Sequence, residues 1–258
     1  MISSATVRTL WHYPVKGLSA QPLDSVLLVA GKGFPLDRAY GFAKPGSGFD
    51  PADPKPLPKT KFVMLARDAE IAGLKTRLDP ETRVLTIEDS SAPQAFDLNS
   101  EADVRAAEAL IARTIGAGPE AAPTLHSAHP HRFTDVSVVS PQLMQAISLI
   151  NLDSVAAFGA QIGQAVDPAR FRANILFSGL PALAELDMVG HTLTIGAATL
   201  RIIRRTKRCP ATEVNPETCA RDIDVPRLLR EAYGHSDMGV YAEVIDGGMI
   251  RPGDTMTF

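Results

Sequence analysis

The sequence predicts an α+β fold rich in β-strand, arranged as a barrel. Three observations point there. β-prone runs outnumber amphipathic helical ones, the two kinds seldom alternate as a doubly wound parallel sheet requires, and Gly- or Pro-containing turns divide the runs. With 258 residues, 45% of them hydrophobic and 21% charged, the chain can bury the core of one large domain or two modest ones. No run of about 18 consecutive apolar residues suited to spanning a bilayer is present. The segment 1–10 lacks the basic start, apolar run and small-residue cleavage site of a signal peptide, so a cytoplasmic protein with no membrane partner is expected.

Residues 7–15, 25–30 and 39–43 are short β-prone runs, and the tract 45–58, with five prolines, is an exposed loop. Two further strands are expected at 62–65 and 83–88, with a short helix at 69–78 between them. Ser100 caps a helix whose first turn carries Glu101 and Asp103 and whose apolar stripe of Val104, Ala107, Leu110, Ile111 and Ile115 ends at Gly116. From there to Pro130 the composition is that of a linker, which divides the chain into 1–120 and 121–258. The second part is expected to hold a strand at 136–139, a helix at 143–149 opened by Pro141, a helix at 152–158 and a last helix at 225–233 between Asp224 and Gly234. Its other strands are expected at 171–177, 193–195, 198–203, 240–245 and 255–258.

A formal net charge of −3 argues against a dedicated nucleic-acid binder. Two cysteines are too few for a disulfide framework, which favours a reducing compartment. The densest basic cluster, Arg201, Arg204, Arg205, Lys207 and Arg208, leads directly into Cys209. Neighbouring cations favour the thiolate, the form that ligates soft metals or attacks electrophiles; the other reading of Cys209 is a small core hydrophobe. His126, His129 and His131 have no carboxylate or cysteine at a spacing that completes a metal site, and are read as a positively charged rim.

Several blocks carry a family likeness. They are Tyr13-Pro14-Val15-Lys16-Gly17, Asp37-Arg38, Phe133-Thr134-Asp135, Val138-Val139-Ser140, Phe171-Arg172-Ala173-Asn174-Ile175, the segment Arg208-Cys209-Pro210 running on to Thr218, Gly239-Val240-Tyr241 and Gly253-Asp254. In this order and spacing the chain resembles MOSC-domain proteins of the two-part type related to the mitochondrial amidoxime-reducing component. The resemblance implies an N-terminal β-barrel-like domain over 1–120 and a MOSC β-barrel domain with peripheral helices over 121–258. It implies a molybdenum–molybdopterin cofactor, with Cys209 as the metal ligand and catalytic centre, Lys16, Gly17, Arg38 and Arg172 at the phosphate and pterin, and Arg208 beside the ligating position. Asn174 and Tyr241 either bond the pterin or serve as turn cap and core; Ser140 is a cofactor-proximal hydroxyl or, as the better reading, a helix cap. Ala173 stands where the family has Pro, Gly17 where animal relatives have Ser, and Cys219 is incidental.

The activity implied is reduction of N-hydroxylated compounds, amidoximes and hydroxylamines, with electrons from a ferredoxin, a flavodoxin or a cytochrome b5-like protein. Two cysteines cannot hold an iron–sulfur cluster, and no second cofactor is expected. The alternative is a cofactor carrier or sulfur-transfer module without turnover of its own.

Overall fold

The computed structural model describes residues 4–89 and 92–258. In the first half, β1 (Ser4–His12) is followed by β2 (Gln21–Leu23), β3 (Val26–Leu28) and β4 (Tyr40–Ala43). An antiparallel meander of β5 (Lys75–Leu78), β6 (Val84–Glu88) and β7 (Pro93–Asp97) then leads to α1 (Glu101–Thr114). Ser100 accepts from the Asp103 amide as its N-cap, and Ala107, Leu110 and Ile111 pack into a core shared with Leu78, Leu85, Ile87 and Phe42.

The second half supplies β8 (Thr124–Ser127), α2 (Pro141–Met144), β9 (Ile147–Asn151), α3 (Leu152–Ile162), β10 (Ile175–Ser178), β11 (Thr192–Ile195) and β12 (Ala198–Lys207). It ends with α4 (Val225–Tyr233), β13 (Asp237–Asp246), β14 (Gly248–Ile250) and β15 (Thr255–Thr257). Seven strands close a barrel in the order β10, β9, β13, β12, β11, β15, β1, with β1 returning to β10. An odd number of strands cannot close with every pair antiparallel. The single parallel pair is β9 with β10, and α3 makes the crossover such a pair needs.

β1 shows how the core is patterned. Ala5 and Val7 point inward, then a register shift against β10 between Val7 and Thr9 moves the inward set by one, so that Leu10 is the next buried side chain. Four strand pairings cross the 120/121 division: β1 with β10, β1 with β15, β4 with β8, and β3 with β14.

Local differences from the sequence expectation have physical causes. Residues 136–139 form a turn rather than a strand, with Val138 and Val139 exposed. The helix opened by Pro141 ends after one turn, and the apolar run 147–151 becomes β9, buried along its whole length because both of its faces are covered. Residues 69–78 split into a short 3-10 segment, Ala69–Gly73, and β5; the run 62–65 keeps only a bridge between Phe62 and Ala43. Phe171 closes the 3-10 segment Pro168–Phe171, and extended pairing starts only at Ile175. Among the described residues, no helix is long and apolar enough to cross a membrane.

Candidate functional site

One cavity of about 240 Å³ lies where the barrel meets the N-terminal lobe. Seven of its lining residues are Lys or Arg and two are Asp, so its surface is cationic in a chain of net negative charge. The lobe contributes Lys16 and Gly17, which follow β1, together with Asp37, Arg38 and Lys59; the segment 133–136 adds Asp135. The barrel contributes Arg172 and Asn174 ahead of β10, Arg208 and Cys209 after β12, and Tyr241 of β13. Gly17 has φ +85°, and a Cβ there would sit 2.9 Å from Ile71 Cδ1, so the turn that presents Lys16 requires glycine.

Asp37 organises the floor. Its buried carboxylate accepts from the Tyr13 amide at 2.8 Å, from Arg38 Nη1 at 2.7 and 2.8 Å, and from Asn174 Nδ2 at 3.0 Å. Burial, the largest influence, would lower the Arg38 guanidinium, but Asp37 together with Tyr13 and Tyr241 makes the net shift upward. Arg38 Nη2 in turn donates to the Arg172 carbonyl at 2.9 Å. Arg38 and Arg172 both lie over the Tyr13 ring, 4.3 and 4.2 Å from its centroid, and both adopt the left-handed backbone region. Burial pushes the Tyr13 hydroxyl up to about 12, and burial together with Arg38 brings Arg172 down to about 10. Among the described residues Arg172 Nη2 is a buried donor with no partner, and Arg170 Nε, Thr134 Oγ1 and Thr206 Oγ1 around the same cavity are likewise unpartnered. Unmet buried donors are costly unless a ligand or water completes them.

Cys209 stands at the end of β12, where Thr212 N and Oγ1 donate to its carbonyl at 3.0 and 2.9 Å. The basic cluster ahead of it does not converge on the sulfur. Strand residues alternate between faces, and Arg201 pairs with Glu243 while Arg205 bonds Asp187 at 2.7 Å on the outside of the barrel. Arg208 is buried and spends its donors on backbone, Nε on the Met238 carbonyl at 2.7 Å and Nη1 on the Phe171 carbonyl at 2.8 Å; burial lowers it to about 10. It therefore fixes the turns on either side of Cys209 and Arg172. The cation that reaches the thiol is Lys59, with Nζ 3.2 Å from Sγ. Lys59 Nζ also lies 3.4 Å from Asp135 Oδ2, while Lys16 Nζ bonds Asp135 Oδ1 and donates to the Phe133 carbonyl at 3.0 Å. Burial alone would raise the Asp135 carboxyl, but the two ammonium groups hold it well below the usual carboxylate range. Lys16 itself is lowered, by burial first, with Asp135 opposing.

Of the residues singled out from sequence, Lys16, Gly17, Arg38, Arg172, Asn174, Arg208, Cys209 and Tyr241 line this cavity. Ser140 does not. It caps α2, its Oγ accepting from the Leu143 amide at 3.1 Å. Asn174 spends its amide on the frame, donating to Trp11 O and Asp37 and accepting from the Ser148 amide. The Tyr241 hydroxyl has no hydrogen-bond partner among the described residues, and burial raises it. Cys219 is a free thiol away from the cavity, 3.8 Å from the Glu70 carbonyl.

The histidine rim is corrected. None of His126, His129 and His131 lines the cavity; His126 and His131 pack against Phe49, and burial lowers both. Sequence reasoning missed Asp37, Asp135 and Lys59 as site residues. The first two lie inside the quoted family blocks, whereas Lys59 ends a proline-rich tract that carries no such signal.

Comparison with protein families matches residues 126–257 to the MOSC domain. Mitochondrial amidoxime-reducing component 1 of Xenopus laevis is 31% identical over 134 residues, which are 47% of this chain and 38% of that protein. Among solved structures, the YuaD protein of Bacillus subtilis aligns over 100% of this chain and 96% of its own, with TM-score 0.46 and 15% identity. YiiM of Geobacillus stearothermophilus aligns over 43% of this chain and 53% of its own, with TM-score 0.34 and 19% identity. The family match spans more than half of the sequence, and the chain belongs to the MOSC domain family.

Proposed function

We propose that this cavity holds a molybdenum–pterin cofactor and that the protein is an oxidoreductase removing oxygen from N-hydroxylated compounds, with electrons from a separate ferredoxin-, flavodoxin- or cytochrome b5-like donor. The observation that carries the reading is the meeting, in one cavity, of the Cys209 thiol with the unpartnered Arg172 Nη2. A soft metal asks for a thiolate, and a pterin phosphate asks for guanidinium and ammonium donors. Cys209 would ligate the metal and Arg172 would grip the phosphate. Lys16 keeps one of its three N–H groups beyond its bonds to Asp135 and Phe133, and Arg38 is held in place by Asp37.

When bound, the cofactor supplies the two-electron redox change. In the overall reaction the N–O bond of R–NHOH breaks, and two electrons and two protons yield R–NH2 and water. The chain's own part is to hold, orient and frame. The identity to an amidoxime-reducing protein supports the direction of the chemistry.

The test is metal and pterin analysis of freshly isolated protein, followed by oxidation of a reduced viologen in the presence of benzamidoxime. Molybdenum with turnover is the expected result. Molybdenum without turnover favours a carrier or sulfur-transfer role, and absence of both metal and pterin overturns the reading.

A further inference from the structure

We infer that Lys59 makes the space in front of the Cys209 sulfur an anion-selecting subsite, so that the compound reacting there carries a carboxylate or other negative group beside its reactive atoms. The inference takes its substrate chemistry from the function proposed above, but the subsite is argued from geometry alone.

Lys59 Nζ lies 3.2 Å from Cys209 Sγ, and its side chain keeps 30% of its surface exposed. It is held there by its own segment. The 3-10 turn Lys59–Lys61 is pinned to β4 by the Lys44 amide donating to the Lys61 carbonyl at 2.9 Å and by the bridge between Phe62 and Ala43. The local charge does not cancel. Asp135 is the carboxylate within reach of Lys59, and it is shared with the buried Lys16, so two ammonium groups meet one carboxylate. In the protein without cofactor Arg172, over Tyr13 and with no salt bridge among the described residues, adds to the same field. Anything approaching the sulfur therefore meets net positive charge, which favours an anion over a neutral isostere.

Two electrophiles of nearly equal size, iodoacetate and iodoacetamide, read that field directly. Both are attacked by the same thiolate, displacing iodide, so the ratio of their rates is independent of how much thiolate is present. Cys219, a half-buried free thiol with no lysine bonded to it among the described residues, is the internal control in the same molecule. In the full chain prepared without cofactor, peptide mass analysis should give an iodoacetate/iodoacetamide ratio at Cys209 about fivefold above that at Cys219, screened by salt. Lys59→Gln should remove most of the excess and Lys59→Arg should keep it, while Cys219 rates stay constant and report an intact fold. Equal ratios at the two thiols, or an unchanged ratio in Lys59→Gln, overturn the inference.

In the molybdenum-loaded protein, the oxime of pyruvate should be reduced with a higher kcat/KM than the oxime of pyruvamide, and Lys59→Gln should narrow the gap. Equal values in the wild-type protein also overturn it. Failure to reduce either oxime counts against the reductase reading, and the alkylation ratio then decides the subsite independently.

Discussion

Asp135 is flanked by two ammonium groups, one buried and one half-exposed. Its folded-state carboxyl is held below the unfolded value, so it contributes stability that is present above the unfolded pKa and lost as pH falls toward the folded one. Asp135→Asn should destabilise the protein at pH 7 by on the order of 2 kcal/mol, because the buried Lys16 loses its counter-ion. The gap from wild type should begin to close below about pH 5, approaching the ordinary Asp value near 3.9. Denaturant unfolding across a pH series measures this, and a gap constant from pH 7 to pH 2 would exclude the role. If the cavity holds molybdenum as proposed, Cys209→Ser should leave the unfolding midpoint nearly unchanged while bound molybdenum drops to background, as read by metal analysis. Much of this site could be read from sequence because its motifs are local: Arg208 and Cys209 are adjacent, and Arg172 and Asn174 fall within one short block. Lys59 could not. Its contact with Cys209 joins positions 150 residues apart, and nothing in a proline-rich tract announces where its last side chain points.

The cavity depends on the backbone at the start of β13 as much as on its charges. Gly239 has φ +74°, and a Cβ there would lie 2.4 Å from the Leu149 carbonyl oxygen and 3.1 Å from Arg208 Nη2. Gly239→Ala should therefore cost on the order of 3 kcal/mol through strain and a backbone clash, visible as a lowered thermal midpoint. Asp224→Ala, which removes a side chain accepting from the Arg227 amide, should cost α4 only about 1 kcal/mol. α4 also shows what the sequence reveals well: Asp224 and Gly234 mark its ends, and its expected and observed spans are both 225–233. β9 shows the opposite case. An apolar run buried on both faces has no period of two, and a preceding Pro at a helix start makes it look helical until the pairing with β13 and β10 is known.

At the scale of the molecule, β1 binds the two halves together. It pairs with β10 and β15 of the barrel and leads directly into the lobe that carries Lys16. Arg221 adds a tie from the barrel side, donating to the Leu65 and Ala66 carbonyls at 3.1 and 2.9 Å. A fragment 121–258 made alone lacks one barrel stave and should not give a dispersed amide spectrum, whereas the whole chain should unfold in a single transition by both circular dichroism and Trp11 fluorescence. Two separate transitions would show that the lobes are independent. The closing strand also sets an order of events during synthesis. β1 leaves the ribosome long before β10 and β15, the strands it must lie between, so its edges stay unpaired while most of the chain is made. Such distant pairing makes folding slow and leaves a sticky nascent edge for chaperones to shield. A cofactor seated in this cavity would meet its full lining only after translation has passed Tyr241.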